Sequence, residues 1–256
     1  MSSLSIHKGG TKMNGSATRL DTGSKWKSLL IAGGVAALAS AILGLIEVII
    51  EVNGSMTTGP TPTTVVGWFS LLQNDRLYGL ALLGLFEVVM TIVSIFMFIA
   101  LYSVLRRANE GFALSATAFA LVGGAVYLAS ISTFSMLSLS QKYATASTGD
   151  EQSQLLAAGQ ALLAMYPDTT LNLGLFLWAV GGIVISAVML QSDLFGKWTA
   201  YIGIVANVVG LPGGSLGIVL FSINGLLLMI WLIMVGARLL RLGTSRAAPD
   251  TPPAPC

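Results

Sequence analysis

Residues 77–105 read LYGLALLGLFEVVMTIVSIFMFIALYSVL, 29 residues that carry one charge, Glu87. A helix needs about 20 apolar residues to cross a hydrocarbon core roughly 30 Å thick, so this stretch predicts a membrane-spanning helix. The same criterion, applied outward along the chain, predicts spans over about 28–50, 77–105, 112–139, 170–190, 198–211 and 216–240. The last two come from one apolar block, Trp198 to Leu240, broken at Leu211-Pro212-Gly213-Gly214-Ser215 and read as a helical hairpin. The expected fold class is all-α: a polytopic transmembrane bundle of six helices over residues 28–241. Residues 1–27 read as a flexible basic cytoplasmic tail, and residues 242–256 as a Pro-rich disordered cytoplasmic tail.

Composition points the same way. Of 256 residues, 54% are hydrophobic and 9% charged, with a mean hydropathy of +0.81. A soluble domain carries roughly 25% charged residues, so lipid must solvate much of this surface. The net charge of +2 includes no basic stripe within a folded segment, which argues against a nucleic-acid partner. Cys256 is the only cysteine, so an intrachain disulfide framework and a thiolate metal cluster are excluded.

Positive charges set the expected orientation, because Lys and Arg are retained on the cytoplasmic side. Lys8, Lys12, Arg19, Lys25 and Lys27 precede the first span, Arg106 and Arg107 follow the second, and Lys197 lies between the fourth and fifth. Arg238, Arg241 and Arg246 close the chain, whereas the opposite loops hold only Arg76 and Lys142. Both termini are therefore expected in the cytoplasm, which requires an even number of spans. The apolar patch Val65, Val66, Trp68, Phe69, Leu71 and Leu72 is too short to span and is expected in the membrane interface. Thr148 and Glu151 form a capping box, and Leu155, Leu156, Leu162, Leu163 and Tyr166 continue at helical spacing to Pro167. This predicts a surface helix over the outer face.

Four stretches share a pattern: Val104-Leu105-Arg106-Arg107-Ala108-Asn109-Glu110-Gly111-Phe112-Ala113-Leu114, Leu137 to Tyr143, Gln191 to Trp198, and Leu228 to Gly236. In their order and spacing they resemble the bacterial six-span membrane proteins grouped as the domain-of-unknown-function 4386 family, over about residues 27 to 243. The resemblance implies a multi-pass protein of a prokaryotic inner (plasma) membrane, with no established activity.

Candidate site residues are the polar groups inside predicted spans. Glu87 lies about ten residues inside the second span, roughly 15 Å from its outer end and hence near the bilayer midplane, where a carboxylate is costly and usually faces a cavity or a partner. Thr91 shares its helical face. Asn207 and Asn224 are expected at the same depth in the fifth and sixth spans, and Glu47 lies near the outer end of the first. The candidate intramembrane polar site is therefore Glu87, Thr91, Asn207, Asn224 and Glu47. It suits a small or lipid-like molecule or a cation. The rival reading treats these residues as interhelical glue in a structural or interaction subunit, with a membrane protein or a second copy as partner.

No catalytic, metal or cofactor site emerges from the sequence. Ser215 lies in Gly-x-Ser-x-Gly, but an activated serine needs a base. The one histidine, His7, is in the opposite tail, and no predicted span contains Lys. An intramembrane enzyme is the third reading.

Overall fold

The structure is a computed structural model describing residues 15–165, 169–212 and 218–245. Among the described residues the regular elements are helices, with no strand: α1 (Gly15–Thr57), α2 (Val65–Asn74), α3 (Arg76–Leu82), α4 (Leu85–Ser130), α5 (Thr133–Thr145), α6 (Gly149–Ala164), α7 (Thr169–Leu190), α8 (Lys197–Gly210) and α9 (Ile218–Thr244). Among the described residues, four helical stretches are long and apolar enough to cross a membrane: Trp26–Thr57, Leu85–Thr145, Thr170–Leu190 and Ser222–Thr244. Large apolar side chains such as Ile42, Leu45, Val48, Ile92, Phe96, Val205 and Ile233 point outward. That exterior matches a lipid solvent.

The second of these stretches is folded back on itself. Asn109 leaves helical geometry at φ −159°, ψ 97° and splits α4 into two arms. Its side chain then accepts from the Phe112 N–H at 3.3 Å, starting the second arm as a helix cap does. The arms run antiparallel: Tyr127 bonds Glu87, and the space a Cβ on Gly124 would take lies 3.3 Å from Thr91. Glycines set the approach of the second arm to α7. A Cβ on Gly123 would lie 2.6 Å from the Trp178 nitrogen, and one on Gly174 2.7 Å from the Tyr127 nitrogen. Helices without a hydrophobic drive between them gain stability from such close backbone contact.

The main core lies between α1, the arms of α4, α7, α8 and α9, and contains Leu101, Leu105, Ile185, Met189, Trp231 and Leu239. Phe98 meets Trp178 edge to face at 5.4 Å. At one end of the bundle Arg106 stacks on Trp26 at 4.7 Å, and Arg238 donates to the Leu194 carbonyl. Lys27 of α1, Arg106 and Arg107 at the α4 turn, Lys197 at the start of α8, and Arg238 and Arg241 of α9 thus lie at that end.

At the other end, α2, α3, α5 and α6 form a cap with its own core of Trp68, Phe69, Leu71, Leu72, Tyr78 and Met136. In the segment 65–72, Val65, Trp68, Phe69, Leu71 and Leu72 are buried in protein, with Phe69 only 1% exposed, while Val66 faces outward at 52%. The expected capping box starts α6: Thr148 accepts from the Glu151 N–H at 3.2 Å, while Glu151 accepts from the Ser147 N–H at 3.3 Å. Leu156, Leu162 and Leu163 of α6 pack on the cap core.

Several boundaries differ from the sequence reading. Helix α1 starts at Gly15, within the predicted tail, and continues beyond Ile50 to Thr57. The expected 77–105 helix breaks at Leu83 and Gly84, where Gly84 takes φ +85°, a conformation that favours glycine. The expected 112–139 helix breaks at Ile131 and Ser132. Thr133 ties the two breaks together by donating its hydroxyl to the Leu83 carbonyl. Run length does not register these breaks: the sequence stays apolar through the first, and the second carries uncharged hydroxyls, Ser130, Ser132 and Thr133, within a longer apolar run. The expected 170–190, 198–211 and 216–240 helices correspond to α7, α8 and α9. Tyr166, Pro167, the turn with Ser215, His7 and the Pro-rich tail lie outside the described residues.

Candidate functional site

Helix α1 lies against the first arm of α4 in antiparallel register. Ser40 and Ser94 hydroxyls meet at 3.3 Å, and a Cβ on Gly44 would lie 3.6 Å from the Met90 sulfur. One turn further along, that register brings Glu47 opposite Glu87. Glu51 follows Glu47 on the same helical face, near the Tyr78 ring, which lies against Gly54. The register thus puts the three carboxylates along one stretch of the α1–α4 seam.

Glu87 is the third residue of α4, so it lies in the first helical turn and not ten residues inside a continuous helix. The helix N-terminus there favours negative charge. Its carboxylate folds back over Gly84, where a Cβ would stand 2.9 Å from Oε2, and it accepts the Tyr127 hydroxyl from the second arm. Glu87 precedes Arg106 by 19 residues, roughly 28 Å along a helix. Glu87 therefore stands at the cap end of the first arm, whereas the sequence reading expected it about ten residues inside a continuous helix. The αL residue Gly84 makes the difference by ending α3 and starting a new helix.

Thr91, one turn deeper, is buried beside Gly124. Asn207 and Asn224 are elsewhere. Asn207 donates to the Gly203 carbonyl at 2.7 Å and packs on Gly182 of α7, whereas Tyr127 packs on Gly174. Eight residues of α7 separate those layers, roughly 12 Å. Asn224 donates to the Ala206 carbonyl at 2.6 Å, joining α9 to α8. The structure therefore gathers Glu47, Glu87 and Thr91, and places the two asparagines in a second polar layer between α7, α8 and α9. The expectation of one shared depth rested on counting residues from the predicted end of each span.

Tyr127 is not among the residues that the sequence reading brought to the site. A lone phenol on the glycine face of an apolar helix was the available signal. Glu51 and Tyr78 also join the site. The Tyr78 hydroxyl donates to the Gly59 carbonyl at 3.2 Å, and Asp75 caps α3 by accepting from the Tyr78 N–H at 3.1 Å. Burial, then the charges of Glu51 and Asp75, push the Tyr78 phenol above its ordinary value.

Among the described residues, no group of three His, Cys, Asp or Glu side chains is arranged to hold a metal ion. A groove of about 620 Å³ lies between α5 and α6, lined by Phe134, Ser135, Ser138, Leu139, Ala158, Ala161 and Leu162. None of the carboxylates lines it.

A family model described as "Domain of unknown function (DUF4386)" matches residues 31–240. No curated protein and no solved structure matches the chain.

Proposed function

The chain belongs to the DUF4386 family, and we propose that it is a non-enzymatic integral membrane protein that takes up a cation at the carboxylates between α1 and α4. The observation that carries this reading is geometric: the register fixed by Ser40–Ser94 and Gly44–Met90 sets Glu47 opposite Glu87, with Glu51 one turn further along α1. Tyr127 supplies one neutral donor to Glu87. Such an array is relieved by a proton or by the ammonium group of a small or lipid-like molecule. These need fewer converging oxygens than a metal ion does.

The topology that goes with this reading has six crossings: α1, the two arms of α4, α7, α8 and α9. Both termini then share the cytoplasmic side of a bacterial plasma membrane. The antiparallel hairpin at Asn109 and the cations gathered at one end support it. The rival, a structural subunit docking another membrane protein or a second copy through its glycine faces, has less support. Gly33, Gly34, Gly123, Gly174 and Gly181 already pack inside the chain.

The test is reconstitution of wild type, Glu87→Gln and Tyr127→Phe in liposomes, followed by proton and monovalent-cation flux and native mass spectrometry of the gently extracted protein. Loss of flux or of a retained cationic molecule in Glu87→Gln supports the site. Identical flux and identical masses in all three proteins would remove it.

A further inference from the structure

The two ends of the bundle carry opposite charge. At the end away from the cap lie Lys27, Arg106, Arg107, Lys197, Arg238 and Arg241, and the acids on the same segments are Glu110 and Asp193. Toward the cap the balance reverses: Arg76 and Lys142 stand against Glu47, Glu51, Asp75, Glu87, Asp150 and Glu151.

Tertiary contacts bring the cations onto one surface. Arg106 lies over the Trp26 ring, Arg238 donates to the Leu194 carbonyl, and Asn109, beside Arg107, donates to the Gln191 side chain at 3.5 Å. A Cβ on Gly243 would lie 3.2 Å from the Lys27 carbonyl oxygen, which sets the end of α9 against α1. Lys27, Arg107, Lys197 and Arg241 are exposed. Among the described residues none of the six cations pairs with a carboxylate, and Glu110 accepts instead from the Tyr102 hydroxyl at 3.5 Å. Like charges gathered without counter-charges repel one another, and an anion relieves that repulsion.

Helix α8 says which anion fits. Below Lys197, the exposed side chains Trp198 (76%), Tyr201 (50%), Val205 (51%) and Val208 (47%) recur every three or four residues and so share one face. Along that face an ammonium group is followed by two rings set edge to face at 6.4 Å, and then by branched aliphatic groups. A phospholipid has the same profile: a phosphate, an interfacial ester region where Trp and Tyr settle, and hydrocarbon. A soluble polyanion would meet the cations and leave the apolar stretch below them uncovered. Clusters of four to eight basic side chains at the end of a span attract anionic lipid headgroups.

We infer that this end of the bundle is a binding surface for anionic phospholipid. The exposed ammonium and guanidinium groups around the 191–197 connection take the phosphate, and the acyl chains lie along the exposed apolar face of α8. The inference rests on the membrane reading of the chain and is independent of the carboxylates at the opposite end.

The test uses the full chain in phosphatidylcholine vesicles containing about one-quarter phosphatidylglycerol, with one lipid or the other brominated. Bromine quenches tryptophan on contact, and subtracting the signal of Trp198→Phe isolates Trp198 among the five tryptophans. Phosphatidylglycerol should be preferred at Trp198 by about fivefold, the factor that one basic side chain supplies near an anionic leaflet. The triple variant Arg107→Gln, Lys197→Gln, Arg241→Gln should bring the ratio toward one, while Arg76→Gln with Lys142→Gln leaves it in place. Equal quenching by the two lipids in wild type overturns the inference, as does a triple variant that keeps its preference. An equal loss in the Arg76, Lys142 variant also overturns it, because net charge alone would then explain the effect. A labelled oligonucleotide retained in pure phosphatidylcholine vesicles, with no lipid preference, would assign the surface to a soluble polyanion instead. If the triple variant does not fold, Lys197→Gln alone is read by the same ratio.

Discussion

Replacing Gly174 by alanine tests whether α7 and the second arm of α4 are held at backbone contact. The added Cβ would stand 2.7 Å from the Tyr127 nitrogen, 2.9 Å from its Cα and 3.1 Å from the Gly123 carbonyl oxygen. All three are backbone atoms, so no rotamer change relieves the clash. Ordinary contact begins at 3.4 Å, and the helices must separate by about 0.7 Å, an overpacking that typically costs about 1–3 kcal/mol. Alanine returns at most about 1 kcal/mol of helix propensity. From the middle of that range a net loss of about 1 kcal/mol remains, roughly a fivefold rise in the unfolded fraction. Gly111 and Gly225 supply the control, because a Cβ on either meets nothing within 4 Å. Alanine there should be neutral or slightly stabilising. Unfolding by SDS in mixed micelles, followed through tryptophan fluorescence, measures all three variants. The shift also moves Tyr127 against Glu87, so Tyr127→Phe should cost less in the Gly174→Ala background than alone. Equal stability of Gly174→Ala and Gly225→Ala, or a double-mutant cycle additive within about 0.3–0.5 kcal/mol, would refute the reasoning.

Three further outcomes are expected. Asn224→Ala removes the α9-to-α8 bond and should cost about 0.6 kcal/mol, with an upper range near 1.7, measured by the same SDS unfolding. Thr148→Ala removes the α6 cap and should weaken that helix by about 1 kcal/mol, visible as faster amide exchange in its first turns while α7 is unchanged. Tyr78 gives the cap a pH dependence. Its phenol is raised in the folded state, so its contribution is complete below the unfolded value near 10 and is lost as pH rises through the folded value. Near-ultraviolet circular dichroism should show the cap loosening in that alkaline range, and Tyr78→Phe should flatten that part of the profile.

Much of the helical content was legible from apolar run length. The sequence read α7, α8 and α9 to within a few residues, and the Thr148–Glu151 box marked the start of α6 because a cap is a local hydrogen-bond pattern. The cap as a folded unit was not legible. Val65 to Leu72 carry the apolar character that lipid would accept, and only the arrival of Met136, Leu156 and Leu162 turns that face into a protein core. Glu87 was conspicuous as the one charge in its stretch, but its depth depended on where the helix begins. A left-handed Gly84 decides that, and Gly-containing apolar strings do not announce it.

What the sequence determined by itself was the solvent and the elements: too few charges to wet a globule, runs long enough to cross lipid, and cations placed between them. These follow from transfer free energy, which is summed along the chain and needs no partner. Tertiary structure decided which polar groups share a place. It set Glu47 against Glu87 and Tyr127 and separated them from Asn207 and Asn224. Those relations depend on register between helices, and register is fixed to within an ångström by glycine contacts that local composition does not encode.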